Sequence, residues 1–225
     1  MIAPTARNVE EIITDRLLLL YMIHYLRGRG FSIRGTDFQK LLKINKLLYF
    51  AESRMYVKRI KSYNYHFRKW DHGPFAQEAY LDIDHLNRSN FIKKGTVINM
   101  QDEGKILLKD IDDMLMGENK VIDCIERVVR EYGEYSWDEI KSAVYAYPTI
   151  NKRVRMEKVK KGTAILNKLE FSEAEQAVQL NPSWFDTLKI MLSPHMYSLL
   201  KEGIASLQHD QGEDFDEFIK TIRPR

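Results

Sequence analysis

An aspartate followed by a histidine is the shortest arrangement in a chain that can accept and pass on a proton. Residues 67–80, FRKWDHGPFAQEAY, contain one at Asp71 and His72. Such a pair does chemistry only with a third party, a nucleophile to activate or a metal to orient, and neither lies near it in sequence. The six histidines, at positions 24, 66, 72, 85, 195 and 209, are scattered, with no His-x3-His spacing and no HExxH. Paired CxxC motifs, a glycine-rich phosphate loop and a GxSxG elbow are also absent from the sequence. The pattern predicts no catalytic residues, no metal, no cofactor, and a protein that is not an enzyme.

The same stretch reads more simply as a corner. Proline fits the first turn of a helix, where its missing N–H would be unpaired anyway, so Pro74 is expected to open a helix over residues 74–86. Before it, SYNYHFRKW at residues 62–70 alternates aromatic and polar side chains as a half-buried strand does. Trp70, at the strand end, is expected in the core, so that Trp70→Ala should unfold the domain.

The elements around this corner are mostly helical. Residues 10–27 are so apolar that they must form a central helix, with His24 expected as a core or boundary histidine. Thr36 and Gln39 have capping-box spacing and open a second helix. On it Phe38, Leu41, Leu42, Leu48, Ala51 and Met55 mark the apolar side, and Lys40, Lys43 and Arg54 are expected on a basic outer face. Residues 91–100 and 105–111 read as two short strands about a DEGK turn. A helix from Val121 to a stop at Gly133 follows, then one opened by Ser136 with Glu139 and running to Pro148. Ser172 with Glu175, Asn181 before Pro182 and Ser193 before Pro194 suggest three further starts. The fold class is therefore mainly α (α+β), a helical domain with a small antiparallel β-sheet or hairpin.

Charge divides the chain. Residues 1–161 hold 29 Lys and Arg against 22 Asp and Glu, whereas residues 162–225 hold 6 against 10. Between the halves lies NKRVRMEKVKKG, residues 151–162, with six basic residues and one acid, read first as a solvated helix face or linker, with nucleic-acid or phosphate contact and docking of the acidic tail or a partner as the alternatives. The organisation expected is a domain over 1–150, then a basic linker and an acidic helical extension over 151–225. The one cysteine, Cys124, admits no internal disulfide and falls in an apolar helical pattern, which points to a reducing compartment. The longest apolar run, LLLLYMI, is far too short to span a bilayer, and the first residues lack the pattern of a signal peptide. A cytoplasmic protein without membrane association is expected.

FQKLLKINKLLYFAESRMYV, YNYHFRKWDHGPFAQEAY and YGEYSWDEIKSAVYAYP, in that order, resemble the Panacea domain of SocA-like antitoxins, which also occurs in phage-associated proteins. The matching positions include Lys46, Leu47, Leu48, Tyr49, Phe50 and Ala51, then Trp70, Gly73, Pro74 and Tyr80, then Tyr132, Gly133 and Ser136. Two departures stand out. His72 replaces the tyrosine usual before Gly-Pro, and VYAYPTI replaces a Thr-His in the later helix. The resemblance implies a mainly helical domain that neutralises a protein toxin encoded by an adjacent gene, without catalytic residues. It also admits operator DNA and a second copy of the chain as partners, and a nucleic-acid-binding regulator or a phage-associated protein as alternative roles.

The end of the chain, SPHMYSLLKEGIASLQHDQGEDFDEFIKTI, is similar to the toxin-wrapping arms of other antitoxins. Met196, Leu199, Leu200, Ile204 and Leu207 lie near one side of a helix, and Phe215, Phe218 and Ile219 form an apolar stripe ringed by acids. The contacts expected with a toxin are Lys40, Lys43, Arg54, Tyr56, Leu199, Phe215 and Phe218. Leu47, Leu48, Tyr49, Ala51, Trp70, Gly73 and Pro74 are expected to build the fold.

Overall fold

The computed structural model describes residues 6–149, 154–192 and 194–208. Helix α1, Val9–Gly28, begins with a capping box between Asn8 and Glu11, and α2, Asp37–Val57, with the expected one between Thr36 and Gln39. A helix without a continuous polar face is stable only when surrounded. Residues 17–23 of α1 are all buried, and residues 40–53 of α2 are buried on every side. These two helices are the centre of the molecule.

After α2 come β1 (Ile60–Lys61), β2 (Phe67–Trp70), β3 (Gly73–Phe75) and α3 (Gln77–Arg88). A hairpin of β4 (Ile92–Lys94) and β5 (Ile98–Met100) follows, paired Ile92 to Met100 and Lys94 to Ile98. Then come α4 (Asp102–Asp110), α5 (Asp112–Gly117), α6 (Asn119–Tyr132) and α7 (Trp137–Ala146). Beyond them lie a 3-10 turn at Met156–Lys158, β6 (Ala164–Leu166), a second at Phe171–Glu173, β7 (Gln176–Ala177), α8 (Pro182–Met191) and α9 (Pro194–Gln208). The antiparallel sheet has the order β3-β2-β6, and β1 pairs with β7 in parallel. The fold is mainly α with small sheets, as expected.

Three expectations for the elements are corrected. Pro74 lies in β3, not at a helix start; α3 begins three residues later, with Ala76 at its cap and no side-chain cap bond. Residues 62–66 do not continue a strand, because their polar groups turn inward and pair with side chains. Asn64 donates its backbone N–H to Asp15 at 2.7 Å, and Lys61 donates to Asn64 Oδ1 at 2.7 Å. The second strand sits at residues 98–100, and the segment expected to hold a turn and a strand is α4. Gly104, Leu107, Leu108 and Ile111 recur there at helical spacing and are all buried. At Gly104 a Cβ would come within 2.5 Å of the Phe91 carbonyl oxygen, so the glycine that hid the helix is what lets it pack. Ser172 lies inside the 3-10 turn, which Glu170 and Glu173 cap, and Glu175 falls beyond it; Asn181 caps α8 as expected, and Ser193 lies outside the described residues.

The residues expected to form a linker and extension pack into the same core as the rest. Met156, Ile165, Leu166, Leu180, Leu188 and Leu192 are buried with α1 and α2 in one cluster. Buried charges stitch the two parts together, which they must, since an unpaired charge in the interior is costly. Lys168 and Lys61 both donate to the Glu11 carboxylate, at 2.9 and 3.0 Å. Arg7 bridges Asp15 and Asp82 at 2.7 and 2.6 Å, and Arg16 reaches Asp82 at 3.0 Å and the Leu192 carbonyl at 2.8 Å.

Candidate partner-binding site

Three lysines one turn apart on α2 explain how the surface is held. Lys40 donates to the Gly95 carbonyl in the β4–β5 turn, Lys43 to the Gly133 carbonyl after α6 at 2.8 Å, and Lys46 to the Pro74 carbonyl in β3 at 2.6 Å. Lys40 and Lys43 are only 3% and 6% exposed, which corrects the basic outer face expected from their spacing. Long aliphatic stems bury along α2, and the ammonium groups cap orphan carbonyls from three turns. Lys46 has the least help: burial, with Lys69 adding like charge, pulls its amine down to about 7.

The corner rests on Lys46 and its neighbour. Asn45 Oδ1 accepts the Ala76 N–H at 2.8 Å, fixing the entry to α3. The β2–β3 hairpin pairs Trp70 with Gly73, leaving Asp71 and His72 as the two turn residues. Gly73 takes φ +94°, and a Cβ there would sit 3.2 Å from Val144 Cγ1. Both facts call for glycine.

What this hinge presents outward is aromatic. Trp70, expected in the core, is 46% exposed, and the Lys161 ammonium lies 4.5 Å from its ring centre. Phe38 is 56% exposed on the first turn of α2. His72 stands between the Phe38 and Trp137 rings, with centroids 5.8 and 5.7 Å away, and both contacts are edge-on. Tyr145 donates its hydroxyl to the Asp71 carbonyl at 3.1 Å and accepts from Lys69 at 3.1 Å. A wall of four rings and an imidazole thus comes from α2, the hairpin and α7.

Asp71 and His72 do not act as a dyad. The Asp71 carboxylate pairs with Lys161 at 2.8 Å, and the hydrogen bond from that ammonium holds it below the usual carboxylate range. His72 Nδ1 has no hydrogen-bond partner among the described residues. No group of three or more His, Cys, Asp or Glu among them is placed to hold a metal ion, and none of their helices is long and apolar enough to cross a membrane.

The other expected contacts scatter. Arg54 pairs with Glu131 and lies 5.7 Å over the Tyr132 ring, and Tyr56 is half-buried against the core. At 1.5 Å per residue Arg54 stands roughly 24 Å along α2 from Phe38. Leu199 is half-buried on α9, while Met196, Leu200 and Ile204 beside it are exposed. Phe215 and Phe218 lie outside the described residues. Leu47, Leu48, Tyr49 and Ala51 are fully buried, as their motif requires; His24, expected in the core or at its boundary, is exposed. Sequence reasoning missed the exposed Phe38 and the half-buried Trp137 and Tyr145, although an aromatic beside the helix starts at Thr36 and Ser136 was a usable signal for the first two.

Residues 44–148 match the family model described as antitoxin SocA-like, Panacea domain. Over that stretch the chain is similar to a Panacea domain. No curated protein and no solved structure matches the chain. The matched Panacea region holds Asn45, Lys46, the Gly-Pro corner, Trp137 and Tyr145. It leaves out α1, Phe38 and Lys161, so one ring of the aromatic wall and the cation over Trp70 come from outside the matched region.

Proposed function

We propose that the chain is an antitoxin that binds a protein toxin directly, in the cytoplasm, and buries the toxin's working surface without turning anything over. The Panacea match supports the class of function. The observation that carries the contact surface is the exposed pair Phe38 and Trp70, set on a corner whose backbone is tied down from inside by Asn45 and Lys46. Exposed aromatics on rigid backbone lose little freedom on binding, and tryptophan and tyrosine dominate binding energies at interfaces. The exposed stripe of Met196, Leu200 and Ile204 on α9, with Leu199 beside it, offers a second contact.

The toxin is expected from an adjacent gene. Each neighbour is expressed alone and with this chain, scoring growth and co-purification. One neighbour should be toxic alone and harmless in company. Phe38→Ala with Trp70→Ala should keep the melt of the wild type yet weaken the complex at least tenfold, about 1.4 kcal/mol. If no neighbour is toxic or bound, the antitoxin reading fails; if the double variant still rescues and binds fully, the contact lies elsewhere.

A further inference from the structure

A concavity of about 380 Å³ opens between α7 and the turn Met156–Lys158, lined by Lys141, Ser142, Tyr145, Ala146, Arg155 and Glu157. Tyr145 belongs to both places: it forms a wall of the concavity, and its hydroxyl is bonded to the Asp71 carbonyl at the aromatic corner. The cations on the two sides differ in their engagements. Lys69 and Lys161 are taken up by Trp70, Tyr145 and Asp71, whereas Lys141 and Arg155 make no ion pair among the described residues. Two unpaired cations facing one hollow, beside rings that want an apolar cover, are a composite of stated chemistry.

We propose that this concavity receives an acidic segment of the protein partner, one or two Asp or Glu carboxylates seated between Lys141 and Arg155, next to an apolar residue that covers Trp70. The proposal rests on the antitoxin reading and extends it to the partner's chemistry. Arginine's planar fork matches a carboxylate in two bonds, and lysine adds a mobile point charge. A nucleic-acid backbone asks for something else, a continuous track of cations at phosphate spacing. Here Glu157 lines the hollow beside the two cations and Asp71 occupies Lys161, so the basic surface is broken into separate places. The hollow also has the size of one or two side chains.

The test uses the full chain, its Lys141→Glu/Arg155→Glu variant, and its Lys141→Gln/Arg155→Gln variant should the first lose its wild-type melt. Binding of a fluorescein-labelled hexaglutamate peptide and of a short single-stranded oligothymidylate is followed by anisotropy. The wild type should bind the peptide more tightly than the oligothymidylate, and the charge reversal should weaken peptide binding at least tenfold. Failure of the wild type to bind the peptide, equal binding by the folded variants, or a preference for the oligothymidylate overturns the proposal, the last in favour of nucleic acid. Growth rescue separates the two readings. A wild type that rescues while the reversed variant rescues equally well sinks this inference alone. A wild type that rescues no neighbour sinks the antitoxin reading, and the peptide titration still decides whether the hollow takes carboxylates.

Discussion

Lys46 is a buried amine whose one hydrogen-bond acceptor among the described residues is the neutral carbonyl of Pro74. Because burial pulls it to about 7 from an ordinary 10.5, the folded chain binds fewer protons here than the unfolded chain between those values. Stability therefore rises with pH across that window, from this group and in the same direction from Lys43, which burial also lowers. Lys46→Met removes the titrating group, and the rise in Tm between about pH 7.5 and 9.5 should shrink; an unchanged slope would show that the amine is not buried as described. The lysines also explain why residue-level reading succeeded with the apolar positions and failed with the basic ones. Leu47, Leu48 and Ala51 can only go inside, whereas Lys40 and Lys43 have a choice that depends on carbonyls at Gly95 and Gly133, 55 and 90 residues away. No local pattern encodes that choice.

The hairpin of β2 and β3 converts buried anchoring into exposed display. Its turn depends on Gly73 at φ +94°, where alanine is strained and would press on Val144. Gly73→Ala should cost ~1–3 kcal/mol and lower Tm by about 2–4 °C per kcal/mol for a chain of this size. Trp70→Ala, by contrast, removes a half-exposed ring and should leave Tm almost unchanged, the reverse of what the sequence suggested. Scanning calorimetry of both single variants distinguishes them; a large loss with Trp70→Ala would place the ring inside. Capping boxes at Thr36 and Ser136 were readable because their chemistry is local, three residues from donor to acceptor. Helix α4 was not, since the close approach of Phe91 that requires Gly104 is a tertiary fact. The aromatic wall was hidden for the same reason, being assembled from three elements, none of which carries it alone.

At the scale of the molecule, the Panacea match ends at residue 148 but the core does not. Strands β6 and β7 complete β2 and β1, Lys168 shares Glu11 with Lys61, and Arg16 holds the Leu192 carbonyl. A chain of residues 1–149 should therefore lose its cooperative melt, while residues 1–192 should keep it; cooperative unfolding of the shorter piece, followed by circular dichroism, would show that the matched region is self-sufficient. The expected boundary at 150 followed the extent of the resemblance and the basic run after it, neither of which carries information about what packs beneath the surface. The partnership of β2 with β6 also sets a schedule for the newborn protein. Phe67 leaves the ribosome about a hundred residues before Leu166, its neighbour in the sheet. At 5–20 residues per second that is a wait of roughly 5–20 s. During it the edge of β2 stands open beside the residues that will form the corner, so the nascent chain passes through an interval in which an unpaired strand edge is exposed before the sheet can close.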